Sequence, residues 1–98
     1  MTIETKKNAD ETVIELVGRL DTTTAPALEK TIGENIKDDE KLVLDLKGLE
    51  YVSSAGLRVL LGAQKKIQKS GTMQLVRVNE AVMDVFEITG FADILTIV

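Results

Sequence analysis

Two adjacent hydroxyls, Ser53 and Ser54, sit where an apolar run hands over to a long helix-patterned segment. Leu42-Val43-Leu44-Asp45-Leu46 lies upstream, and Leu57 to Lys69 follows with neither proline nor strand-like alternation. Such a junction leaves backbone N–H groups free and directs the positive end of a helix dipole outward. A serine there can cap the helix, or it can carry a phosphate; the position fits both. Arg58, one turn further on, can meet a partner carboxylate or stay solvated. The second polar cluster is Asp21 with Thr22, Thr23 and Thr24. These residues can cap the helix that follows or border a partner surface.

Other chemistries find little support. The chain has no His and no Cys. That removes the commonest general base, thiol catalysis and thiolate metal sites, so neither a metal nor a cofactor is expected. Of the scattered acidic residues, only Asp21 and Asp45 lie near strand ends, and no spacing demands that two carboxylates converge. Asp45, inside an apolar strand, reads as an edge-facing or hydrogen-bonded carboxylate. Gly18, Gly48, Gly56 and Gly62 compose neither a Walker loop nor a dinucleotide loop. The expectation is a protein that is not an enzyme.

Ninety-eight residues, 44% hydrophobic and 29% charged, describe one ordinary globular domain spanning residues 1–98. With three aromatics (Tyr51, Phe86 and Phe91), its core must be built from Leu, Val, Ile and Ala. A formal charge of −4 argues against a reader of phosphate backbones, and the basic pairs Lys6-Lys7 and Lys65-Lys66 are short. Direct binding of nucleic acid is therefore not expected. No apolar span approaches membrane length, and Met1 to Lys7 lacks the core of a signal peptide. A cytoplasmic protein without membrane contact is the resulting expectation.

The elements that must position the serines follow from pattern and punctuation. Residues 2–7 and Thr12 to Gly18 read as a β-hairpin across the Asn8-Ala9-Asp10-Glu11 turn. Pro26 suits a first helical turn, and Leu28, Ile32 and Ile36 at spacing four predict a helix to about residue 38, stopped by Asp38-Asp39-Glu40. Residues 41–46 predict a central strand covered on both faces. The serine helix runs to about Ser70 with Gly71 as its stop, and Met73 to Val78 completes a right-handed βαβ unit. Asn79 caps a third helix, Glu80 to Thr89, carrying Val82, Val85, Phe86 and Ile88, with Gly90 at its C-terminal end and Phe91 packing behind it. Ile94 to Val98 is a final strand or a segment on the sheet edge.

In this order Asp21 with its threonines, the Leu-Val-Leu-Asp-Leu strand and Tyr51-Val-Ser-Ser-Ala-Gly-Leu-Arg-Val-Leu-Leu resemble the bacterial anti-anti-sigma factors, single-domain members of the STAS family. The resemblance covers the whole chain and implies an α/β domain whose mixed central sheet of four to five strands carries packed helices. It implies an anti-sigma factor antagonist: a serine at the start of the second helix is phosphorylated by a partner kinase that often is also the anti-sigma factor. The unphosphorylated form binds that kinase and displaces its sigma factor, and a PP2C-type phosphatase restores the hydroxyl. Against the family pattern Asp-Ser-(Ser/Thr)-Gly-Leu, Ser54 falls on the phosphorylated serine, Gly56 on the glycine and Leu57 on the leucine. Ser53 stands where the family often has Asp and is the second candidate for the phosphate. Asp21 matches an acidic residue near the phosphorylation surface. The implied partner surface comprises Asp21, Thr22, Thr23, Ser53, Ser54, Ala55, Gly56 and Arg58, although tight packing on the domain's own sheet accounts equally for Ala55 and Gly56. The competing reading is a STAS scaffold subunit of a transport or signalling assembly, in which the serine only caps its helix.

Overall fold

A computed structural model describes residues 1–35, 41–69 and 71–98. Strand β1 (Thr2–Lys7) and strand β2 (Glu11–Leu20) form the expected antiparallel hairpin. Its turn is fixed by the Asn8 side chain, whose Oδ1 accepts from the amides of Asp10 and Glu11 at 3.0 and 2.9 Å. Helix α1 (Ala25–Asn35) leads to strand β3 (Lys41–Val52), helix α2 (Ser54–Ile67), strand β4 (Thr72–Val76) and helix α3 (Glu80–Thr89). The sheet order is β1-β2-β3-β4, with β2, β3 and β4 mutually parallel. Residue 97 adds a single parallel bridge to Leu75 on the outer edge of β4, so the last segment lies on the sheet edge. The expected continuation of α1 through Ile36, its Asp38-Asp39-Glu40 stop, and Ser70 lie outside the described residues.

β3 is twice the length expected from its apolar run. Between Glu15 and Val17, and again between Gly18 and Arg19, β2 and β3 change register, and each time β3 spends one residue more than its partner. These bulges turn Leu46, Leu49 and Val52, three residues apart, all toward the core. A spacing of three is no strand period, which is why residues 47–52 do not read as a strand. β2 also runs on to Leu20, past Gly18, whose φ of +108° belongs to the region that favours glycine. β4 ends at Val76, two residues short of expectation, because Arg77 takes a φ of +55° and turns the chain away.

All three helices bury their apolar stripes in one cluster with Ile14, Leu16, Leu42, Leu44, Leu46, Met73 and Leu75, and so occupy a single face of the sheet. The expectation that residues 41–46 form a strand covered on both faces holds from Leu42 to Leu46, all buried, although the helices lie on one side only. Val43 and Asp45 point to the other face, where Val43 is buried yet outside that cluster. In a four-stranded sheet the side chains of flanking strands suffice to cover a central one. Asn79 caps α3 as expected, its Oδ1 accepting from the Val82 amide at 2.9 Å, and its Nδ2 donates to the Leu49 carbonyl at 2.6 Å. Val82 and Phe86 are buried, Val85 and Phe91 pack partly against the core, and Gly90 closes the helix at φ +80°. Ile88 does not join them; it is 86% exposed.

On the open face the buried Asp45 pairs with Arg77, whose side chain is exposed. Arg77 donates to both carboxylate oxygens of Asp45, through Nε at 3.1 Å to Oδ1 and through Nη2 to Oδ2, and the Lys47 amide adds a third bond at 3.1 Å. The guanidinium and these bonds hold the Asp45 carboxyl below its ordinary pKa of 3.8 against the opposing effect of burial. With the folded value depressed, the unfolded chain binds more protons at acid pH, so this stability is complete above the unfolded value and drains away as pH falls through the folded one. Acid unfolding followed by circular dichroism should therefore set in at higher pH for Arg77→Gln than for the parent, in the region below about pH 4. Identical acid limbs for the two proteins would exclude the pair as their source.

Candidate functional site

The site is assembled where the parallel strands β2 and β3 end together. Leu20 and Val52 are register partners, and one residue later the Ser53 amide donates to the Leu20 carbonyl at 2.8 Å. That bond fixes the start of α2 against the loop that leaves β2, so the segments around Asp21 and Ser54 become neighbours. The carboxyl ends of parallel strands are the usual place for a site in α/β sheets, because helix N-termini gather there.

The two serines do different things. Ser53 has extended backbone (φ −94°, ψ 174°), and its Oγ accepts from the Gly56 amide at 3.3 Å, while its carbonyl accepts from the Leu57 amide at 2.9 Å. It is the N-cap of α2. Ser54 is the first helical residue; it is exposed, and its hydroxyl makes no hydrogen bond among the described residues. The cap and the available hydroxyl are thus divided between adjacent positions, an outcome that two equally good capping residues leave undecided in the sequence. No acidic residue occupies the first turn of α2, so nothing there competes for the dipole.

The remaining expected residues separate into surface and support. Thr22 and Thr23 are exposed, and Asp21 is partly so. Oδ1 of Asp21 is consumed inside its own loop, accepting from the Thr23 hydroxyl at 2.7 Å and from the amides of Thr23 and Thr24 at 3.0 and 3.2 Å. The Thr23 hydroxyl, foremost among these, holds the Asp21 carboxyl below its ordinary range. Thr24, the residue before α1, accepts from the Asp21 amide and donates to the Arg19 carbonyl, both at 2.8 Å. The loop is tied together by its own hydrogen bonds.

Gly56 and Leu57 are buried, and Ala55 packs partly against the core. A Cβ on Gly56 would stand 2.6 Å from Leu20 Cγ and 3.0 Å from Val52 Cγ2. The glycine's position therefore lets α2 sit down on the ends of β2 and β3. Arg58 is exposed and makes no ion pair or hydrogen bond among the described residues.

One feature of this surface is not legible from residue types. Arg19 lies over the Tyr51 ring, 4.2 Å from its centroid, with Nε 4.0 Å from Asp21 Oδ2. The two residues are register partners only because the second bulge makes them so. Among the described residues no group of His, Cys, Asp and Glu is arranged to hold a metal, and no helix is long and apolar enough to cross a membrane.

Comparison with known proteins gives a consistent result. The model of the STAS domain family matches residues 2–98. An anti-sigma-B factor antagonist of Bacillus subtilis is 29% identical over 96 residues, covering 97% of this chain and 88% of that protein. An anti-sigma F factor antagonist of Paenibacillus polymyxa is 34% identical over 98 residues, covering 97% and 84%. The crystal structure of an anti-sigma factor antagonist from Mycobacterium paratuberculosis superimposes with a TM-score of 0.87 at 29% identity, covering 98% of this chain and 83% of that one.

The division between the serines has a measurable consequence. Ser53→Ala should lower stability to urea by about 1 kcal/mol, the usual loss of a capping oxygen. Ser54→Ala should stay within about 0.5 kcal/mol of the parent, as for other exposed substitutions. A larger loss from Ser54→Ala than from Ser53→Ala would reverse the assignment.

Proposed function

The chain belongs to the STAS domain family, and on that footing we propose that it is an anti-sigma factor antagonist whose switch is phosphorylation of Ser54. With Ser54 unmodified it binds a serine kinase that is also an anti-sigma factor, and with Ser54 phosphorylated it lets go. The observation that carries this reading is the free hydroxyl of Ser54 beside a cap that Ser53 already supplies. Phosphorylation at the first helical position breaks no bond of the fold. The residue that a phosphate would disrupt, Ser53, is the one turned to other work.

The domain performs no catalysis of its own in this scheme. The Ser54 oxygen attacks the terminal phosphorus of ATP held by the kinase, ADP leaves, and the hydroxyl proton passes to a base on the kinase. A PP2C-type phosphatase hydrolyses the ester and restores the hydroxyl. A phosphate brings about −1.5 to −2 charges at neutral pH. Unpaired amides and the helix dipole accept that charge inside the domain, so the fold persists. A partner packed closely against the Ser54 end of α2 meets both new volume and new charge.

Asp21, Thr22 and Thr23 form the second wall of the partner surface, held rigid by the loop's own bonds, with Arg58 on its α2 side. Gly56 serves this surface indirectly, by seating the helix that carries Ser54. The partners of this scheme, kinase and phosphatase, place the protein in the cytoplasm.

Incubation with the cognate kinase and ATP, followed by mass spectrometry, tests the assignment. The parent and Ser53→Ala should each gain one phosphate at position 54, and Ser54→Ala should gain none. Phosphorylation of Ser54→Ala at Ser53 would overturn it.

A further inference from the structure

We propose that a phosphate on Ser54 is gripped within the domain by Arg58, making this arginine an internal latch for the modified state; the inference rests on Ser54 as the modified residue. Ser54 and Arg58 are four residues apart on α2, so they are neighbours on one face of the helix. Side chains in a helix lean toward its N-terminus, which carries the Arg58 guanidinium over the turn that begins with Ser54. Both residues are exposed, and Arg58 makes no ion pair or hydrogen bond among the described residues that a phosphate would first have to break.

The other charged groups at this corner favour the same pairing. Arg19 is occupied by the Tyr51 ring at 4.2 Å and by Asp21 at 4.0 Å. Asp21, fixed by Thr23 and Thr24, is an anion and offers the phosphate no favourable partner. The order is also the favourable one for a helix, with the anion at its N-terminus and the cation one turn later.

The latch changes what a partner meets. In the unmodified protein, the face formed by Ser54 and Arg58 offers one exposed positive charge. Once the ester forms, the same face is net negative by about half a charge to one charge. The guanidinium is then spent on the phosphate through two parallel hydrogen bonds. Release thus has two causes acting together: an anion added and a cation withdrawn.

Phosphoserine installed at position 54 during synthesis, by an expanded genetic code, tests this without any kinase. Phosphorus NMR across pH reads the second pKa of the ester in three backgrounds: parent, Arg58→Gln and Arg58→Lys. The parent value should lie below that of Arg58→Gln by about 0.3, the size expected of an exposed helical ion pair. Arg58→Lys should recover part of the difference, since it keeps the charge and loses the fork. Arg19→Gln should leave the value unchanged. Equal values in the parent and Arg58→Gln, or a change that follows Arg19→Gln instead, would overturn the proposal. Failure of Ser54 as a kinase target would appear only in the kinase assay, and failure of the latch only here.

Discussion

The parallel pairing of β2 with β3, carried past two bulges to its last hydrogen bond, is the constraint on which the rest of the structure depends. Had the strands separated at Leu46, where the apolar run ends, the serines would lie on a free loop. Instead the pairing continues to Leu20 and Val52, and the Ser53 amide closes it on the Leu20 carbonyl. The start of α2 is thereby positioned from two sides, by the strand it leaves and by the strand next door. Gly56 completes the arrangement, because any side chain there would collide with Leu20 and Val52. Precision at Ser54 is thus a property of the sheet more than of the helix.

Much of this organisation can be read from residue order. The β1–β2 hairpin, the βαβ unit, the Asn79 cap and the Gly90 stop rest on local signals, and all four are present, with the bounds of β2, β3, α2 and β4 shifted from those the signals mark. What escapes a reading of the sequence depends on register. Residues 47–52 do not look like a strand because bulges space their buried side chains by three. The Arg19–Tyr51 stack is hidden for the same reason, since only the second bulge brings these residues opposite one another. Asp45 reads as a carboxylate needing a partner, but Arg77 is distant in sequence and reaches it from a backbone conformation that an arginine seldom adopts. Which serine caps α2 escapes for a different reason: serine is an equally good cap at both positions, and the decision is made by where β3 ends.

The candidate surface joins a rigid wall to an adaptable one. Asp21 is surrounded by donors from its own loop, which hold its charge and leave that loop little freedom. Across from it, Ser54 and Arg58 are unencumbered on the exposed side of α2. A recognition surface with one fixed and one responsive side can keep its shape while its charge changes. Such a surface lets a modification alter affinity without remodelling the domain.

The segment after α3 bears on a different matter, the margins of the sheet. An uncovered strand edge is a template on which further chains can add. On the β4 side, the Leu75 amide donates to Thr96 and its carbonyl accepts from Val98, at 2.8 and 3.0 Å, so part of that edge is already satisfied. The opposite edge, β1, displays Glu4, Lys6 and Lys7, all exposed. Charge guards one margin of the sheet and backbone pairing the other. Both margins of the sheet therefore present an obstacle to the addition of a further strand.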